Sequence, residues 1–207
     1  MAVACAVGSN ALATSIRWTA PLEDQRFVEP YDGRFLEAVE LPQYHDELMR
    51  FWPEGGPHWD ALAVVGEQRH PKLVLLVEAK SYPGEVYGPG CQASAKSSLE
   101  LISAALERTR SWLDASEESE WTGPLYQYAN RLAHLYFVRQ VVGLPAWLVN
   151  LCFIGDTTTN PTTERQWRVA LPSFKKELGF ADGTIPWVVD VLLSARSRSE
   201  LIGDADN

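Results

Sequence analysis

Three residues combine type and spacing in a way that permits chemistry: Asp60 in HWDALAVV, and Glu78 and Lys80 in KLVLLVEAK. Both segments read as strands, rich in branched apolar residues and joined by the polar link GEQRHP. If the chain reverses near Arg69, the strands form an antiparallel hairpin. Asp60 and Glu78 then stand equally far from the turn and face each other. Alternation along the second strand puts Glu78 and Lys80 on one face. Directly opposed residues have Cβ atoms roughly 5 Å apart, a separation that suits two carboxylates sharing one hard divalent cation with an ammonium beside them. Like charges so close are unfavourable unless a cation sits between them. A Glu-x-Lys on a strand is otherwise a solvated edge or an ion pair. Here it ends the apolar run Leu73–Val77, where unpaired charge is expensive, and an Asp stands at the matching register.

The elements that must position this trio follow from pattern. From Tyr31 the spacing of Phe35, Leu36 and Val39 predicts a helix, and Leu48, Phe51 and Trp52 a second one starting near Pro42. After the two strands, Leu99, Ile102, Leu106 and Leu113 recur at helical spacing from Lys96. A further helix runs from Leu125 to about Val141, ended by Gly143 and Pro145. AWLVNLCFIG is a third strand, Thr162 or Thr163 caps a helix reaching about Leu178, and WVVDVLL is the last strand. Helices interleaved with short buried strands predict an α/β fold with a mixed central β-sheet flanked by helices on both faces. The expected organisation is an N-terminal arm over 1–30, one α/β domain over 31–195 and a loose tail over 196–207.

On the helix from Leu125, the residues Leu125, Ala129, Leu132 and Tyr136 form an apolar face, with Gln127, Arg131 and His134 opposite. Arg131 is the candidate for binding substrate phosphate; an ordinary polar helix face is the alternative for all three. His45, His58, His70 and His134 lack zinc-ligand spacing and read as surface or capping residues. No P-loop, dinucleotide, nucleophile-elbow or HExxH motif occurs.

With Asp60 in HWDALAVV, Glu78-Ala79-Lys80 in LLVEAKSYPGE, and the Gln-bearing helix PLYQYANRLAHLYFVR, the chain resembles the PD-(D/E)XK nuclease superfamily. The element order from about 31 to 192 agrees with that restriction-endonuclease-like core. Trp59 stands where the motif's name has Pro. The resemblance implies Mg²⁺ (or Mn²⁺) held by Asp60, Glu78 and the carbonyl of Ala79. Lys80 would act on the attacking water and on transition-state charge. It also implies a catalytic role for Gln127, which would orient water or substrate. An upstream carboxylate often joins such sites: Glu47 is the first candidate, Glu37 the second, and Glu85, just past the Glu-x-Lys, a third. Each has solvated surface as its alternative.

Composition narrows the partners. The chain has 207 residues, enough for one domain with its own core. Its apolar runs are too short to span a bilayer, so no membrane partner is expected. Cys5, Cys91 and Cys152 are odd in number and form no CxxC pair, which fits reduced thiols in the cytoplasm. The net charge is −9, with 18 Lys and Arg against 27 Asp and Glu. A protein that grips long duplexes shows a basic footprint, because phosphate neutralisation supplies most of the affinity. Nucleic acid, DNA above all, is therefore expected to be contacted locally, unless a protein partner or a homodimer supplies basic surface. An acidic interaction protein unrelated to nucleases requires the charges at Asp60, Glu78 and Lys80 to be structural ion pairs; the resemblance implies two other functions. One is a metal-dependent phosphodiester hydrolase; the other is a non-catalytic version of the same fold, serving as a binding or scaffold subunit.

Overall fold

The hairpin forms where alternation and turn chemistry place it. In the computed structural model, which describes residues 16–195, β2 (Ala61–Glu67) and β3 (His70–Lys80) pair antiparallel. Ala61 faces Val77 and Val65 faces Leu73, but Glu67 faces His70 across a bulge at Val65/Gly66. The turn alone would set a register one residue out of step, and the bulge corrects it. Gly66 allows this, since at φ +131° a Cβ there would lie 2.7 Å from the His70 carbonyl oxygen. Continued one step past Ala61 and Val77, the ladder brings Asp60 opposite Glu78, as expected.

β4 (Ala146–Ile154) runs parallel to β3 and sets Asn150 beside Glu78. β5 (Val188–Ser194) runs parallel to β4 and sets Asp190 beside Asn150. β1 (Ile16–Ala20) adds antiparallel to the outer edge of β2, completing a mixed sheet in the order β1-β2-β3-β4-β5. β1 lies inside the segment expected to be an arm. Its five residues, IRWTA, are too few to show a period, yet Arg17 is anchored to Glu40 at 2.9 Å and Thr19 bonds the Leu62 carbonyl. The remainder of the arm, 1–15 with Cys5, and the tail 196–207 lie outside the described residues.

The helices are α1 (Arg34–Ala38), α2 (His45–Phe51), α3 (Lys96–Trp112), α4 (Tyr126–Tyr136) and α5 (Glu164–Glu177). α4 continues through a π-helical turn at Phe137–Val141. α5 starts with a capping box, the Thr163 hydroxyl accepting from the Gln166 N–H while the Gln166 side chain reaches back to Thr163. Two connections cross in the same direction, from β3 to β4 through α3 and α4, and from β4 to β5 through α5. Right-handed crossovers then place these helices on one face. Their apolar residues, with those of α1 and α2, pack on Leu62, Val64, Leu76 and Leu148. The opposite face was expected to carry helices as well. Among the described residues its apolar layer (Ala63, Leu75, Val77, Val149 and Val191) is built from strands alone. No helix among the described residues is long and apolar enough to cross a membrane.

Candidate metal and catalytic site

Asp60 sits at a bend immediately before β2. Its Oδ2 accepts the Ala79 N–H at 2.7 Å, so the carboxylate lies against the backbone between Glu78 and Lys80. Glu78, only 6% exposed, has both oxygens engaged. Oε1 pairs with the Lys80 ammonium, and Oε2 accepts from Arg131 Nε at 2.8 Å. The predicted trio therefore meets, with a second cation that had been read differently. Arg131, expected to meet substrate phosphate, points inward: its remaining nitrogens donate to the His58 carbonyl at 3.0 Å and the Gln127 carbonyl at 3.3 Å. Paired this way, Glu78 escapes the penalty of a buried lone charge.

Among the described residues no cation is paired with Asp60 in this way. Burial pushes its carboxyl above the usual carboxylate range. The Ala79 N–H works against that shift, Glu78 adds to it, Lys80 opposes it and Glu29 adds to it again. Glu29 is the acid that the sequence reading missed. Tyr31 bridges His58 in antiparallel sense and Trp59 donates to the Pro30 carbonyl at 3.0 Å, a pairing that carries Glu29 level with Asp60. The available signal was Pro30, which holds the residue before it extended. Glu47, half-buried on α2, and Glu37, exposed on α1, are not among the groups that shift Asp60. Glu85 instead accepts the Ser81 N–H at 2.6 Å and so fixes the turn that follows Lys80.

Gln127 is exposed at the start of α4, its amide against Gly88, and it shares the lining of a small cavity with Glu78 and Lys80. That cavity, about 20 Å³, has room for about one water. His134, expected at the surface, is buried among Phe35, Trp52 and Trp59. Burial lowers its pKa to about 4, so it stays neutral and cannot serve as an acid at neutral pH.

Beyond Glu78 the same row of the sheet stays polar. Asn150 Nδ2 donates to the Tyr128 hydroxyl and to Asp190 Oδ1, both at 2.7 Å, and the Lys175 ammonium meets Asp190 Oδ2 at 2.5 Å. Neither the Lys175–Asp190 pair nor the role of Asn150 was read from the sequence. Cys152, beside Lys80 across the ladder, is no nucleophile: burial, helped by Asp190, raises its thiol to about 12.

Among the described residues no three His, Cys, Asp or Glu side chains converge on one point. The donors on hand are the Asp60 and Glu78 carboxylates and the Ala79 carbonyl. A hard ion that keeps several waters needs no more than one or two carboxylates, so the donor set fits Mg²⁺ or Mn²⁺. The uncompensated Asp60 is where an added cation would relieve charge. Comparison with family models, characterised proteins and solved structures found no match.

Proposed function

We propose that this chain is a metal-dependent phosphodiester hydrolase with a PD-(D/E)XK, restriction-endonuclease-like core, acting on DNA. The observation that carries the reading is the bond from the Ala79 N–H to Asp60, which gathers Asp60, Glu78 and Lys80 at one end of the hairpin. Asp60, Glu78 and the Ala79 carbonyl would hold Mg²⁺ or Mn²⁺, which when bound would supply Lewis-acid stabilisation of charge on the phosphoryl oxygens. Lys80, a fifth exposed, is the mobile cation: released from Glu78 it can hold the attacking water and meet developing negative charge. Arg131 holds Glu78 in place through its own contact with Oε2, whether or not Lys80 remains. Gln127, exposed at the rim, orients water or substrate. The free thiols Cys91 and Cys152 suit the reducing cytoplasm we propose as its location.

One observation favours the non-catalytic reading. With Lys80 and Arg131 both on Glu78, that carboxylate is charge-compensated without any metal. Cleavage assays of wild type and Lys80→Ala on single-stranded, duplex and branched DNA and on RNA, with Mg²⁺ and Mn²⁺, separate the two. Activity in wild type that is lost in Lys80→Ala supports the hydrolase. Wild-type inactivity on every substrate supports a scaffold subunit.

A further inference from the structure

Next to Asp60 stands an exposed aromatic stack that neither the core nor the site chemistry uses. The rings of Tyr31 and His58 lie 5.2 Å apart at an interplanar angle of 18°, and the Arg34 guanidinium sits 4.8 Å from the Tyr31 ring. Tyr31 is 39% exposed, and His58 and Arg34 are exposed as well. His58 precedes Asp60 by two residues, so their Cα atoms are within about 7 Å. The pair is tied to the site. The His58 carbonyl accepts from Arg131, the residue that holds Glu78, and Pro30 and Asp32 bond the backbone on either side of His58. A flexible surface pair would not be pinned in this way.

The geometry points to a subsite in which an unpaired nucleobase stacks on the Tyr31–His58 platform, beside the scissile phosphate at Asp60 and Glu78. This rests on the hydrolase reading and deepens it, by naming single-stranded or locally unpaired nucleic acid as the substrate. Stacking also answers the charge problem. A chain of net charge −9 gains little from phosphate neutralisation, whereas every base offers a π-face regardless of protein charge. Arg34, against the ring, adds a cationic edge where the backbone would pass.

The test is equilibrium binding, by fluorescence anisotropy, of a labelled oligothymidylate and of an abasic strand of equal length and charge. Ca²⁺ replaces Mg²⁺, and cleavage is measured separately in Mg²⁺. Wild type is expected to bind the base-bearing strand at least about tenfold more tightly than the abasic strand. Tyr31→Ala should bring the two affinities together and raise KM with little change in kcat, while Tyr31→Phe, which keeps the ring, retains the preference. Should Tyr31→Ala not fold, His58→Ala and Tyr31→Phe carry the test. Equal binding of the two strands by wild type, a preference that survives in both alanine variants, or tighter binding of duplex than of single strand each overturns the platform. Base preference without cleavage leaves the platform standing and removes the hydrolase; cleavage without base preference does the reverse.

Discussion

Two carboxylates lie in the same row of the sheet, each with a lysine; Glu78 is buried and Asp190 a quarter exposed, and they differ in what surrounds them. Asp190 and Glu78 are separated by Asn150, in register on β5, β4 and β3. Asp190 meets Lys175, which α5 buries to 4% exposure, and its other oxygen takes the Asn150 amide. Glu78 meets Lys80, which is partly exposed, and faces a second acid, Asp60, that has no cation of its own among the described residues. An acid–lysine pair on the sheet is thus not in itself a site. The Asp190 pair is closed and satisfied; the Glu78 pair has a neighbour left over and a cation able to move.

The sharpest way to break that contrast is by rate. Lys80→Ala should lower metal-dependent cleavage by roughly 10²-fold or more, whereas Lys175→Ala should leave kcat within about threefold. Equal losses in the two would mean that both lysines serve only the fold. Stability should show the opposite order. Removing Lys175 leaves Asp190 only the Asn150 amide, at a cost of roughly 1–3 kcal/mol in denaturant melts. Removing Lys80 leaves Glu78 its Arg131 partner, at a cost of about 1 kcal/mol or less. A third difference is in metal response. Mg²⁺ or Mn²⁺ should raise the Tm of wild type and of Asp190→Asn by a few degrees, and leave Glu78→Gln unmoved; a shift retained in Glu78→Gln would place the ion on the acidic surface.

The smallest effect is one of pH, and it must be removed before either carboxylate can be titrated cleanly. His134 is held neutral with a pKa near 4, so below about pH 6.5 the unfolded chain binds a proton that the folded protein refuses. Stability from this group is full above that pH and falls as pH drops toward 4. The loss should be roughly 0.7 kcal/mol between pH 7 and pH 6, and absent in His134→Gln. A Tm slope unchanged by that substitution would assign the acid response to another group.

The Asp60–Glu78 pairing was legible because a hairpin is local: alternation and the turn fix both strands within one short segment. Thr163 and the ends of α5 were legible for the same reason, since a cap is read from adjacent residues. What escaped was set by distant segments. Glu29 reaches Asp60 only through the Tyr31–His58 bridge, and Asp190 reaches Asn150 only through a parallel crossover whose register no local pattern records. Arg131 and His134 looked like a solvated face because α4 was expected to have one. Instead α4 is buried nearly all round, and its polar residues must find partners inside.

The bulge at Gly66 makes the hairpin an odd–even counter. Deleting one residue of β2 below the bulge, such as Val64, would slide the strand end by one position, set Asp60 beside Val77 and turn its carboxylate to the other face, taking Ala61, Leu62 and Ala63 with it. Lengthening the turn beyond the bulge, between Glu67 and His70, would extend the loop outward and leave every pair below it in place. Chains descended from this one can therefore vary freely in the tip of this hairpin, but an insertion or deletion of a single residue between Gly66 and Asp60 would end the site in one event.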